Sequence, residues 1–257
     1  MTLEKEGFLS PDISGVREQI RVRYASHFDL VRRVNKFCQE NRSRLTIYNR
    51  DPQQLIAICL MLKIFEDVQG SLLLLETGLA SQGRSLLRVA TEASIILAKT
   101  VNSEEFFKAY VLAGERDKLK FLNAIKANPL YEDENLRRDI TPELVEQVKQ
   151  SVDGIESKNI EQWAKDVKLD VQYDIVYRLF SQDVHTHPRV IEKYLLFRED
   201  GDVGQIGWGP GMNENIRPVL FEAAKILLLA MDAIGHLFDL QIQQQIKSFW
   251  VEVKNIA

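Results

Sequence analysis

Residues 51–100, DPQQLIAICLMLKIFEDVQGSLLLLETGLASQGRSLLRVATEASIILAKT, decide how the chain folds. Asp51-Pro52 is a helix start signal: an acceptor side chain at the cap, then a proline in the first turn, where its missing N–H costs little. From there to about residue 77 the chain is apolar nearly all round, the pattern of a helix buried on every side. Gly78 to Gly83 spell a turn, and a second apolar helix is predicted over about 84–100. Together they form a helical hairpin at the heart of the fold.

The same punctuation extends outward. Ser10-Pro11-Asp12 opens a segment to about residue 44, with Ile20, Tyr24, Phe28, Val31 and Val34 on one helical face. Ser103 with Glu104 and Glu105 caps a helix to about residue 126, which Asn128-Pro129 breaks. Residues 130–139 are charged and read as loop. Thr141-Pro142-Glu143 starts a helix ending near Asp153-Gly154, followed by helices around 160–167 and 171–185, the last stopped by Pro188. One region reads as strand: YLLFR (194–198), then EDGD, then VGQIGW (203–208), a β-hairpin around an Asp-Gly turn. Gly207, Gly209 and Gly211 with Pro210 lie outside any strand–loop–helix context and lack Gly-Lys-Ser/Thr, so they are no nucleotide fingerprint. A long C-terminal helix is predicted over about 215–254, kinked or beginning late at Pro218. The expected fold is all-α: a single multi-helix bundle with a central apolar hairpin and a small β-hairpin inserted before the C-terminal helix. Residues 1–50 form a basic helical segment packed on the main domain, and 51–257 form the helical core.

Composition narrows the function classes. Of 257 residues 45% are hydrophobic and 27% charged, which excludes wholesale disorder and collagen-like structure. Thirty-three Lys and Arg against 37 Asp and Glu leave −4, the wrong sign for an undirected nucleic-acid coat. The basic groups nonetheless gather locally. Residues 17–50 carry Arg17, Arg21, Arg23, Arg32, Arg33, Lys36, Arg42, Arg44 and Arg50 against three acids, a local +6. Such an excess could attract phosphate backbones or an acidic partner, but it reads first as a solvated face whose arginines pair with the acidic remainder. Cys38 and Cys59 are too few for a disulfide framework or a four-cysteine zinc site, so a reducing, cytoplasmic location is expected. With charged residues at 4–6 no secretion signal is expected, and the apolar runs 72–75 and 226–238 are too short to span a membrane.

Two constellations carry chemistry. In YRLFSQDVHTHP (177–188), Arg178 and His185 stand seven residues apart and so share a helix face, with Tyr177 and Ser181 close to it. A guanidinium can hold phosphate oxygens, and an imidazole at a helix C-terminus is suited to donate a proton. The structural alternative is an ordinary ion pair for Arg178 and a carbonyl cap for His185. Asp183, His185 and His187 also allow a metal reading, although spacing of two suits a strand better than a helix and no H-E-x-x-H motif accompanies it. In the apolar hairpin, Arg84, Arg88 and Glu92 recur every four residues, with Glu66 and Asp67 in the preceding helix. Charges there are costly unless paired, so Arg88–Glu92 reads as a register-fixing ion pair, or Arg84 or Arg88 as an anion ligand beside His185. No G-x-S-x-G is present, and no cysteine has a histidine next to it.

On GRSLLRVATEA (83–93) and YRLFSQDVHTHP (177–188), the chain resembles a family of bacterial helical domains of unknown function over roughly residues 50–240. More distantly it resembles the HEPN superfamily of helical ribonucleases, whose motif is an arginine, four to six residues and a histidine. That motif falls here on Arg178 and His185, with Leu179 where a polar residue usually follows the arginine. The resemblance implies a dimeric, metal-independent endoribonuclease or RNA-binding effector of bacterial defence or toxin–antitoxin systems, needing no cofactor. Arg178 would bind phosphate, His185 would move a proton, and Arg84 or Arg88 would add anion binding. Glu92, Tyr177, Ser181, Asp183 and His187 would support them, with RNA, a second copy and an antitoxin or regulatory protein as partners. The competing expectation is a non-catalytic helical interaction or regulatory module.

Overall fold

A computed structural model describes residues 2–46, 51–128, 140–152, 159–185, 187–207, 209 and 215–256. The charged stretch 130–139, the helix end at Asp153-Gly154, and Arg50, Trp208, Pro210 and Gly211 lie outside them. The described chain is overwhelmingly helical and divides into two compact units, residues 1–101 with 161–257 and residues 102–160.

The larger unit begins with a short helix, α1 (Thr2–Glu6), followed by α2 (Ile13–Arg23) and α3 (Ala25–Arg42). The single N-terminal helix expected from periodicity is therefore two. Tyr24 breaks it at φ −117° and ψ 29°, its N–H bonding Ile20 O while its own carbonyl receives the Phe28 N–H. The break preserves the phase of the apolar face, so Tyr24, Phe28, Val31 and Val34 are all buried and the pattern alone cannot reveal it.

The central hairpin forms α4 (Pro52–Glu76) and α5 (Ala80–Asn102). The Asp51 side chain accepts the Gln54 N–H at 3.0 Å, as the start signal implied. Gly78 closes α4 at φ +86°, with Leu79 N–H on Leu74 O, the left-handed stop that glycine enters without steric cost. Helix α5 starts four residues earlier than expected, so Gly83 is helical. Its role is close approach: a Cβ there would lie 2.9 Å from Leu75 Cγ and 3.3 Å from Ser71 O of α4.

The C-terminal helix also resolves into two, α12 (Arg217–Leu237) and α13 (Gln243–Ile256). Asp239, at φ +50°, takes the left-handed position with Leu240 N–H on Gly235 O, and no glycine marks the stop. Helix α12 packs against α3 and α4, and α13 packs against both α12 and α3. Phe28, Met61, Ile64, Leu75, Leu87, Leu220, Leu227 and Leu228 are fully buried in one cluster there. At the C-terminal end of α4 the buried Glu76 faces an unfavourable helix dipole; Arg21 (2.7 Å) and Arg32 both bind it. Much of the basic N-terminal surplus is matched in this way, Arg33 pairing with Asp29 and Glu252.

The smaller unit contains α6 (Glu104–Ala127) and α7 (Pro142–Ser151), capped by Ser103 and Thr141 as the sequence predicts. Leu122, Ile125, Ile140 and Val148 make its own small core. No helix among the described residues is long and apolar enough to cross a membrane.

Back in the larger unit, after α8 (Ile160–Asp166), comes a composite helix: α9 (Asp170–Gln172), a π-helical turn (Tyr173–Tyr177) and α10 (Arg178–Val184). Then follow α11 (Pro188–Glu192) and the β-hairpin, β1 (Leu195–Phe197) against β2 (Val203–Ile206). Leu195 pairs with Ile206 and Leu196 with Gln205, with an irregularity before Phe197, and Gly201 turns at φ +89°.

Candidate functional site

The two sequence constellations meet, through one face of each helix. Starting α5 at Ala80 places Ser81, Arg84, Arg88 and Glu92 along a single side of it, at spacings of three and four. Across from them stand Tyr177, at the end of the π-helical turn, and Ser181 and Asp183 of α10.

The Arg84 guanidinium grips Asp183 through two bonds, Nε to Oδ2 and Nη2 to Oδ1, each 2.9 Å, and the Ser81 hydroxyl donates to the same carboxylate. The pair is well shielded, with side chains 18% and 6% exposed. A fork-on-carboxylate geometry supplies direction as well as charge, and it holds one helix in register on the other. Arg88 binds Glu92 at 3.1 Å, which is the expected ion pair, and also donates to Tyr177 Oη at 2.6 Å and to Ser181 Oγ at 3.4 Å. The Ser181 hydroxyl donates back to Tyr177 O at 2.5 Å.

An aromatic stack continues from this contact. The Arg88 guanidinium sits 4.3 Å from the Tyr177 ring centre, Tyr177 stacks on Tyr173 at 5.0 Å, and Arg178 lies over the Tyr173 ring, 5.1 Å from its centre. The π-helical turn carries both tyrosines. Such turns are rare in helices and frequent at functional sites.

Arg178 and His185 are not part of the buried cluster. Arg178 is more than half exposed and binds Glu161 at 3.0 Å and Asp174 at 3.4 Å. Lys165 and then Arg178 hold Glu161 below the usual carboxylate range; on this surface two bases, Arg178 and Lys165, stand among two acids, Glu161 and Asp174. His185 ends α10 as its cap, exposed, its N–H on Ser181 O at 3.1 Å. His187 is exposed at the start of α11, where Nδ1 accepts the Arg189 N–H at 3.3 Å. Asp183 is committed to Arg84, and among the described residues no group of three or more His, Cys, Asp or Glu side chains converges as a metal site. Arg84 and Arg88 thus join Tyr177, Ser181 and Asp183, while Arg178, His185 and His187 face other partners.

Ser81, Tyr173, Glu161 and Asp174 go beyond the residues that the sequence marks. The Tyr-x-x-x-Tyr-Arg spacing at 173–178 was the available signal for the stack. Ser81 was hidden because Gly78 to Gly83 read as turn. Burial raises the Cys38 thiol far above its ordinary range, leaving it inert, whereas Cys59 is exposed.

No curated protein and no solved structure matches this chain. The model of a family of unknown function, DUF5677, matches residues 54–203, more than half of the chain and both helices of the polar cluster, and the protein belongs to that family.

Proposed function

We propose that this protein is a non-catalytic helical interaction module that self-associates through the exposed face of the 170–184 helix. One observation carries the reading: each arginine of the two constellations is already matched by carboxylates. Arg84 is held by Asp183, Arg88 by Glu92, and Arg178 by Glu161 and Asp174. An incoming phosphate would have to displace them, and at Arg178 it would meet two carboxylates already engaged by that arginine and Lys165. The outward face of the same helix is apolar instead: Val171, Ile175 and Leu179 recur every four residues and are 53%, 51% and 52% exposed. Asp170 and Asp174 flank the early part of that stripe and Arg178 the later part. An antiparallel second copy would bring unlike charges together across it. Light scattering of the purified chain tests the reading. The wild type is expected above monomer mass and Leu179→Glu at monomer mass; a monomeric wild type at working concentrations removes it.

A second reading is a HEPN-like, metal-independent bacterial endoribonuclease or RNA-binding effector of defence, active as a dimer. It is favoured by the exposure of both Arg178, which opens α10, and His185, which caps its C-terminus seven residues later. In it Arg178 leaves its carboxylates for a phosphate, and His185 donates the proton. Cleavage of mixed RNA by wild type and its loss in His185→Ala would establish this reading and overturn the first. Equal cleavage by both proteins, or none, discards it.

A further inference from the structure

Away from the α5–α10 cluster, the larger unit has a surface cavity of about 350 Å³ where α3, the start of α12 and the end of α13 come together. Its wall is divided by chemistry. Phe221, Pro218 and Ile256 supply an apolar side, and His27, Asn215 and Arg217 a polar one. We propose that this cavity binds a small organic anion, a carboxylate carried on an apolar or aromatic body.

Four observations support the assignment. The Arg217 guanidinium makes no ion pair among the described residues; its backbone N–H alone is engaged, by Asn215 Oδ1 at 3.2 Å. By contrast, the arginines of the α5–α10 cluster, Arg84 and Arg88, and Arg178 beside it are all held by carboxylates. His27 engages Ser26 through Nδ1 at 3.3 Å, leaving Nε2 for another partner. The imidazole and the guanidinium line one opening, with no carboxylate among the described residues that line it, and burial and then the Arg217 charge hold His27 below its ordinary range. The volume lies at the small end of ligand pockets, enough for a single ring with its acid group. A planar guanidinium matches a carboxylate through two parallel bonds, while the Phe221 and Ile256 wall takes the apolar body.

Benzoate is a suitable probe, titrated into the full chain and followed by amide chemical shifts, with benzamide and inorganic phosphate as controls. Saturable benzoate binding in the millimolar range is expected, with shifts at residues 27, 217 and 221. Arg217→Gln should weaken it about tenfold or more, the loss of a charged bidentate contact. Arg217 is exposed, so this variant should keep the wild-type unfolding midpoint. Benzamide should bind more weakly for want of charge, and phosphate for want of an apolar body. Absence of saturation, undiminished binding by Arg217→Gln, or benzamide or phosphate binding as tightly as benzoate would each overturn the proposal.

Discussion

Helix α10 has two faces, and the contrast between them separates what holds this protein together from what it offers to others. Toward α5 it turns Ser181 and Asp183, with Tyr177 just before it, and every polar group there meets a partner on the opposite helix. Toward solvent it turns Arg178, Leu179 and His185. Both faces use an arginine and a carboxylate. On the inner face, shielding from water makes the pair directional and costly to break; on the outer face, solvent screens it and the side chains stay available. The same residue types thus serve structure on one side and contact on the other.

The largest expected effect lies inside. Arg84→Ala leaves Asp183 as a shielded, uncompensated carboxylate and should destabilise the fold by about 3–5 kcal/mol. Chemical denaturation measures it, and the double variant with Asp183→Ala should recover part of that loss. A loss under about 1 kcal/mol would mean the inner face is as screened as the outer one.

Next comes the approach of α5 to α4 that sets the inner face. Gly83→Ala pushes a methyl into Leu75 and the Ser71 carbonyl and should lower stability by about 1–3 kcal/mol, despite alanine's better helix propensity. An unchanged midpoint would show that the helices slide apart freely.

Outer-face changes should touch association and leave folding alone. Leu179→Glu is expected to abolish self-association with an unchanged circular dichroism spectrum and unfolding midpoint. A simultaneous loss of folding would place Leu179 in the core and erase the distinction between the faces. Smallest of all, Arg178→Ala should leave the unfolding midpoint where it is, since both its carboxylate partners are open to water. A clear drop would make the outer arginine a structural one.

The sequence located most elements because their signals are local. Asp51-Pro52, Ser103 and Thr141-Pro142 announce helix starts through their own side chains, and each cap forms. The break at Tyr24 carries no sequence signal because it keeps the apolar face in phase. The stop at Asp239 carries none because a non-glycine residue takes the left-handed position. The candidate site was legible as residue types, and the Arg88–Glu92 pair as geometry, since both ends sit on one helix. Arg84–Asp183 was not, since its ends are 99 residues apart and nothing along the chain relates them.

By itself, then, the sequence determined an all-helical chain, its apolar hairpin and the small β-hairpin, because periodicity and capping act over a few residues. Only the tertiary structure decided which arginines are occupied. It gave Asp183 to Arg84, left Arg178 and His185 at the surface and opened a cavity beside Arg217. Whether a charge is shielded or screened depends on which distant helix lies against it, and helix packing settles that where spacing along the chain cannot.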